Sequence, residues 1–180
     1  MHKVGVLNRL RWHPRLSLML ALALTLVGIG AGTDGGDGHA RFAMPRDPMF
    51  VKECGSCHTA YAPGLLTAAE WQRVMGDLQN HYGDDASLGE PARLGILRWV
   101  VDGAADGLEA TRLMRRIAEA AKHSKTMPRI TESGLFRYQH DEIPAYVWQR
   151  QSIWRKSNCG ACHIRANAGF YDESEIKVPR

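Results

Sequence analysis

The apolar positions of this chain change character along its length. Leu16 to Ala31 is an almost unbroken apolar run behind a basic stretch with Lys3, Arg9, Arg11 and Arg15. Further on, the pattern turns periodic. Thr67-Ala-Ala-Glu70 has the form of a capping box. It precedes Trp71, Val74, Met75, Leu78 and Tyr82, an i, i+3, i+4, i+7, i+11 stripe that predicts a helix ending at Gly83. Ser87-Leu-Gly-Glu90 has the same box form, with Pro91 in the first turn, and predicts a second helix through Leu94, Leu97 and Val100 to about Val101. Asp102 to Gly107 reads as a hinge or domain boundary. From Leu108 a third helix carries Leu113, Ile117 and Ala121 on one face. Its Arg112, Arg115, Arg116 and Lys122 form a solvated face in preference to a docking site. Met127-Pro128 breaks that helix, Arg129 to Asp141 has no clear period, and Pro144 starts another over Ala145 to Trp154. Alternating β-branched runs and internal repeats are absent, so the fold class is mainly α.

The four cysteines fall in two motifs, Cys54-Gly-Ser-Cys57-His58 and Cys159-Gly-Ala-Cys162-His163. Cys-x-x-Cys-His is the attachment signature of a c-type haem: two thiols form thioethers to the porphyrin vinyls and the following imidazole ligates iron. On a helix the second cysteine lies one turn after the first, which predicts short helices near Val51 to Ala60 and from the second motif through Arg165 and Ala168. Two competing chemistries exist. A zinc site would need all four cysteines to converge, and a redox disulfide would use each pair alone. Neither accounts for His58 and His163, whereas two covalently bound haem c groups account for all six residues.

Haem attachment of this kind takes place outside the bacterial cytoplasm, and the N-terminus agrees. A basic segment followed by an apolar run shorter than the roughly 20 residues of a membrane span is the n-region and h-region of a secretory signal. The Gly/Asp-rich stretch Gly32 to Gly38 then serves as stem, with cleavage between about residues 31 and 40. An uncleaved anchor is the alternative. The precursor charge of +4 falls to +2 when residues 1–40 leave with four basic and two acidic side chains. Haem propionates would offset that remainder, so the charge balance points to no nucleic-acid or membrane-surface partner.

His58 and His163 fill one axial position each, and the sixth ligands decide the chemistry. Histidine lowers the potential, methionine raises it, and an open position admits gases or substrates. His2 and His13 leave with the signal and His39 lies in the stem, which leaves His81, His123 and His140. His81 lies beside the apolar stripe of the first helix, either as a ligand or as a helix-end histidine held by the dipole. His140 and His123 both stand upstream of the second motif, and His140 is preferred because His123 sits in a polar helix end. Met127, before Pro128, is the methionine alternative, whereas Met75 lies on the apolar stripe and reads as core.

Several segments carry a family resemblance: Glu53-Cys-Gly-Ser-Cys-His-Thr-Ala-Tyr-Ala-Pro-Gly-Leu-Leu66, His81-Tyr-Gly-Asp-Asp-Ala-Ser-Leu88, Pro128-Arg-Ile-Thr131, His140-Asp-Glu-Ile143 and the closing Cys-x-x-Cys-His. In content and order they resemble the bacterial periplasmic dihaem cytochrome c family. The resemblance implies two small haem-binding domains, residues 41–107 similar to a class I cytochrome c and residues 108–180 irregular and helical. It also implies two histidines on each haem, with His81 and His140 as distal ligands. The family's role is low-potential electron transfer without catalysis, often beside a membrane cytochrome b and a small oxygen-binding monohaem cytochrome. The alternative is a small dihaem enzyme, peroxidase-like or gas-binding, in which one axial position is open or displaceable and Glu142 or Arg137 assists.

Overall fold

The computed structural model of the chain describes Phe42 and residues 47–180; the signal and stem expected over residues 1–40 lie outside the described residues. Among the described residues there is no strand, and helices are joined by 3₁₀ turns and loops. None of these helices is long and apolar enough to cross a membrane.

Helix α1 (Pro48–Cys54) starts where Asp47 accepts a hydrogen bond from the Phe50 amide at 2.8 Å with Pro48 in the first turn. It therefore precedes the first motif and ends on its first cysteine, instead of spanning 51–60 as expected. Helix α2 (Ala68–Gly76) begins with the predicted capping box: Thr67 Oγ1 accepts from the Glu70 amide, and Glu70 Oε2 accepts from the Thr67 amide at 2.9 Å. It stops earlier than the stripe suggested. Gly76 and Asp77 are poor helix formers, and Asp77 turns its carboxylate to Asn80 Nδ2 at 3.0 Å. A 3₁₀ turn, Leu78–Asn80, continues to His81.

Helix α3 (Glu90–Asp102) occupies its expected range but lacks the expected box. Its N-cap is Gly89, without a side-chain bond, and Glu90 is held forward by Arg93 at 3.0 Å, so it does not reach back toward Ser87. Helix α4 (Arg112–Ala121) begins at Thr111, whose hydroxyl caps the Met114 amide; Leu108 precedes it and is fully exposed. The 129–141 stretch holds an unexpected short helix, α5 (Gly134–Gln139), capped by Ser133. Helix α6 (Ala145–Trp148) is a single turn, much shorter than expected. The second motif is two 3₁₀ turns, Cys159–Ala161 and Ala166–Ala168, not one helix. Its backbone pairs with the chain's end instead: the Lys177 amide donates to Cys162 O at 3.0 Å, and His163 bridges Ile176.

Two apolar clusters organise these elements. In the first, α2 and α3 pack through Trp71, Val74, Met75, Ile96 and Val100 against Phe50 of α1. Trp71 Nε1 donates to Pro63 O at 2.7 Å, so the buried indole leaves no polar group unpaired. The second cluster gathers Phe42, Ala62, Ala105, Ala110 and Met114. Gly64 lies here, and a Cβ on it would come within 3.0 Å of Phe42 and closer still to the end of the Met114 side chain, so a larger residue would make these side chains shift. The Asp102–Gly107 stretch is a packed turn: Ala104 and Ala105 are fully buried, and the Ala105 amide donates to Leu66 O at 2.8 Å.

The capping box fixes the entry into α2, the central helix of the first core. Thr67→Ala should lower the stability of the holoprotein by about 1–2 kcal/mol, read as a lower urea midpoint with unchanged slope in far-UV circular dichroism. An unchanged midpoint would show that the buried box contributes nothing.

Candidate metal centres

The first centre grows out of α1. Cys54 closes the helix, Gly55 and Ser56 make the turn, and Cys57 and His58 follow. His58 Nδ1 donates to Thr59 O at 2.8 Å, a partner that can only accept, so Nε2 is left as the bare donor nitrogen. Across from it stands His81, with ring centres 6.1 Å apart and planes within 14° of parallel. Two imidazoles on opposite sides of one metal, with bonds of about 2.0 Å and about 1.2 Å from each nitrogen to its ring centre, have centres about 6.4 Å apart. The observed spacing fits a shared metal.

His81 is held there by a tight turn, not by the helix end expected from sequence. Tyr82 and Gly83 both take left-handed backbone angles (φ 57° and 106°), and the Asp84 amide closes back on His81 O at 3.2 Å. Tyr82 packs edge-on against the His81 ring, donates its hydroxyl to Pro128 O, and carries the Arg129 guanidinium over its face at 4.6 Å. This brace was not legible in sequence, although a bulky residue before Gly83 marks the strained turn.

The second centre is built from loops. His140 caps the C-terminus of α5; its Nδ1 donates to Phe136 O at 2.8 Å, one turn earlier, and its ring stacks on Phe136 at 4.1 Å. It faces His163 with ring centres again 6.1 Å apart, but here the planes cross at 77°. His163 has no such tether. Its Nδ1 is buried without a hydrogen-bond partner among the described residues, and the ring rests edge-on against Tyr171. A cavity of about 680 Å³ lies between, lined by Cys159, Cys162, His140, His163, Phe136 and Tyr171 among others. That is ample for a large flat ligand, within the range of about 300–1,000 Å³ usual for such sites.

Electrostatics favours the forms that haem attachment needs. Burial, then the neighbouring His58, lowers the pKa of His81, partly offset by Asp84; burial and then His140 lower that of His163. Both shifts favour neutral imidazole, the ligating form. Burial, then Glu53, pushes the Cys54 thiol up to about 11, and burial pushes Cys159 to about 11. Before attachment little thiolate is available for oxidation, and no disulfide joins the four cysteines. Burial, followed by the nearby Cys159, likewise raises the Tyr61 hydroxyl.

The remaining candidates lie elsewhere. His123 is exposed just beyond α4, Met127 packs on the first apolar cluster, and Met75 is buried within it. Among the described residues no three His, Cys, Asp or Glu side chains form a metal cage, so the cysteine pairs do not make the zinc site weighed above. Two protein donors per centre, two thiols beside each and a haem-sized space at the second fit a macrocycle that itself supplies the other metal bonds.

Comparison with known proteins identifies the family. The sequence pattern of the dihaem cytochrome c family matches residues 50–171. A solved dihaem cytochrome c from Rhodobacter sphaeroides is 36% identical, covering 72% of this chain and 99% of its own, with a TM-score of 0.62. A dihaem c-type cytochrome from Shewanella baltica OS155 is 31% identical, covering 76% of this chain and 95% of its own, with a TM-score of 0.60. No curated protein matches. With matching motifs, a helical fold and two thiol pairs in place, the chain belongs to the dihaem cytochrome c family and binds two haem c groups covalently.

Proposed function

We propose that the protein is a periplasmic electron carrier of low potential in which His58 with His81, and His140 with His163, hold the two irons. The observation that carries this reading is the facing imidazole pair at each centre, 6.1 Å between rings in both. A haem with histidine on both faces exchanges single electrons at low potential and offers no open axial position. The chain's own part is to fix the rings and keep water away. Thr59 O and Phe136 O tether His58 and His140, and Tyr82 braces His81. An enzymatic role would need one imidazole to swing away, and His140 is tied to Phe136 and flanked by Trp148 at 5.9 Å.

Export is supported by the basic-then-apolar N-terminus. The family resemblance suggests a membrane cytochrome b as donor and a small monohaem cytochrome as acceptor. The near-neutral holoprotein favours such short-lived redox encounters over nucleic-acid binding.

Ligand substitution tests the saturation of both irons. The dithionite-reduced holoprotein should leave its Soret band unmoved on addition of carbon monoxide. His81→Ala and His140→Ala should each let one haem of the two bind it. Carbon monoxide binding by the unaltered protein, or none by His140→Ala, would overturn the ligand assignment.

The ring angles give an independent test. Parallel imidazoles split the two π-type iron orbitals, whereas crossed imidazoles leave them nearly degenerate and preserve more orbital angular momentum. The oxidised protein should therefore give two low-spin electron paramagnetic resonance signals, one rhombic from His58/His81 and one with a much larger maximal g from His140/His163. Two identical rhombic signals would show that the crossed pair is wrong.

A further inference from the structure

Tyr61 touches the first centre and the segment that leads into the second motif. Its ring lies 5.0 Å from that of His58 at an interplanar angle of 32°, and its hydroxyl donates to Ser157 O at 3.4 Å, two residues before Cys159. These contacts join segments 96 residues apart in sequence. The backbone around Tyr61 is fixed: Ala60 is 2% exposed and belongs to the first apolar cluster, while Ala62 is 3% exposed and belongs to the second. Tyr61 thus stands on a rigid stretch where the two clusters meet, followed by buried Pro63 and Gly64.

We infer that Tyr61 is a positioning residue for both haems: its ring sets the orientation of His58, and its hydroxyl holds the Ser157–Cys159 segment in register with the first centre. His58 already has one tether through Nδ1, and the tyrosine ring restricts the remaining tilt of its plane. Among the described residues, His163 Nδ1 has no hydrogen-bond partner, so the placement of that ring depends on its packing against Tyr171 and on the backbone segment that presents the second motif. A single side chain thereby makes the geometry at one haem depend on the other.

This inference rests on the ligand pairs proposed above only for assigning signals to haems. The test uses holoprotein carrying Tyr61→Phe, which keeps the ring and loses the hydroxyl, and Tyr61→Leu, which loses both. Tyr61→Phe should preserve the rhombic signal of the first haem and shift the electron distribution between the two haems in a redox titration by about threefold, the scale of one neutral hydrogen bond. Tyr61→Leu should in addition move the g values of the first haem. If both variants keep the signals and the electron distribution of the unaltered protein, with only a lower unfolding midpoint, Tyr61 is mere packing and the inference falls. The redox comparison holds whatever the distal ligands are, and the unaltered protein's own spectrum judges the ligand pairs separately.

Discussion

The proposed ligation sets one constraint on this molecule: two imidazoles facing each other across the thickness of a porphyrin, twice over. The separation of 6.1 Å between ring centres in both pairs is close to the roughly 6.4 Å of two imidazoles sharing one metal. Regular secondary structure gives way to that demand. Helix α2 stops short so that a 3₁₀ turn and a left-handed Tyr82-Gly83 pair can carry His81 inward. Helix α5 ends where its last turn tethers His140. The second motif abandons helix for two 3₁₀ turns, because its backbone pairs with the chain's end.

The two centres meet the constraint differently. The first is mounted on the α1, α2 and α3 core, where Phe50, Trp71, Ile96 and Val100 are nearly or fully buried, and its rings lie almost parallel. The second is assembled from α5, the motif turns and the closing segment, around a cavity lined by aromatic and apolar side chains, and its rings cross. Such a region buries little against itself, so the covalent haem supplies the apolar surface that a larger core would otherwise provide. Under the proposed ligation, the differing ring angles give the two irons distinct electronic surroundings, a means of separating their potentials without changing ligand type.

What was legible in sequence was local. The Cys-x-x-Cys-His motifs name the cofactor because the spacing is covalent chemistry, and the Thr67–Glu70 box formed because its partners are three residues apart. The second box misled: Glu90 had Arg93 within reach one turn ahead, and the salt bridge took the carboxylate. Helix α5 was missed because Leu135 and Phe136 line the haem cavity instead of forming a periodic core face. The loss of helix at the second motif depends on Ile176 and Lys177, whose pairing with the motif carries no local signal. Candidate ligands could be narrowed by elimination, but the facing of His81 on His58 and of His140 on His163 needed three dimensions.

The central claim is that both irons carry an imidazole on each face. Near-infrared magnetic circular dichroism of the oxidised holoprotein reads it directly, because the energy of the porphyrin-to-iron charge-transfer band reports the axial ligand pair of each low-spin haem. Both bands should fall at bis-imidazole energies. A band at the energy of a histidine–methionine pair, or a high-spin signature at either haem, would contradict the account.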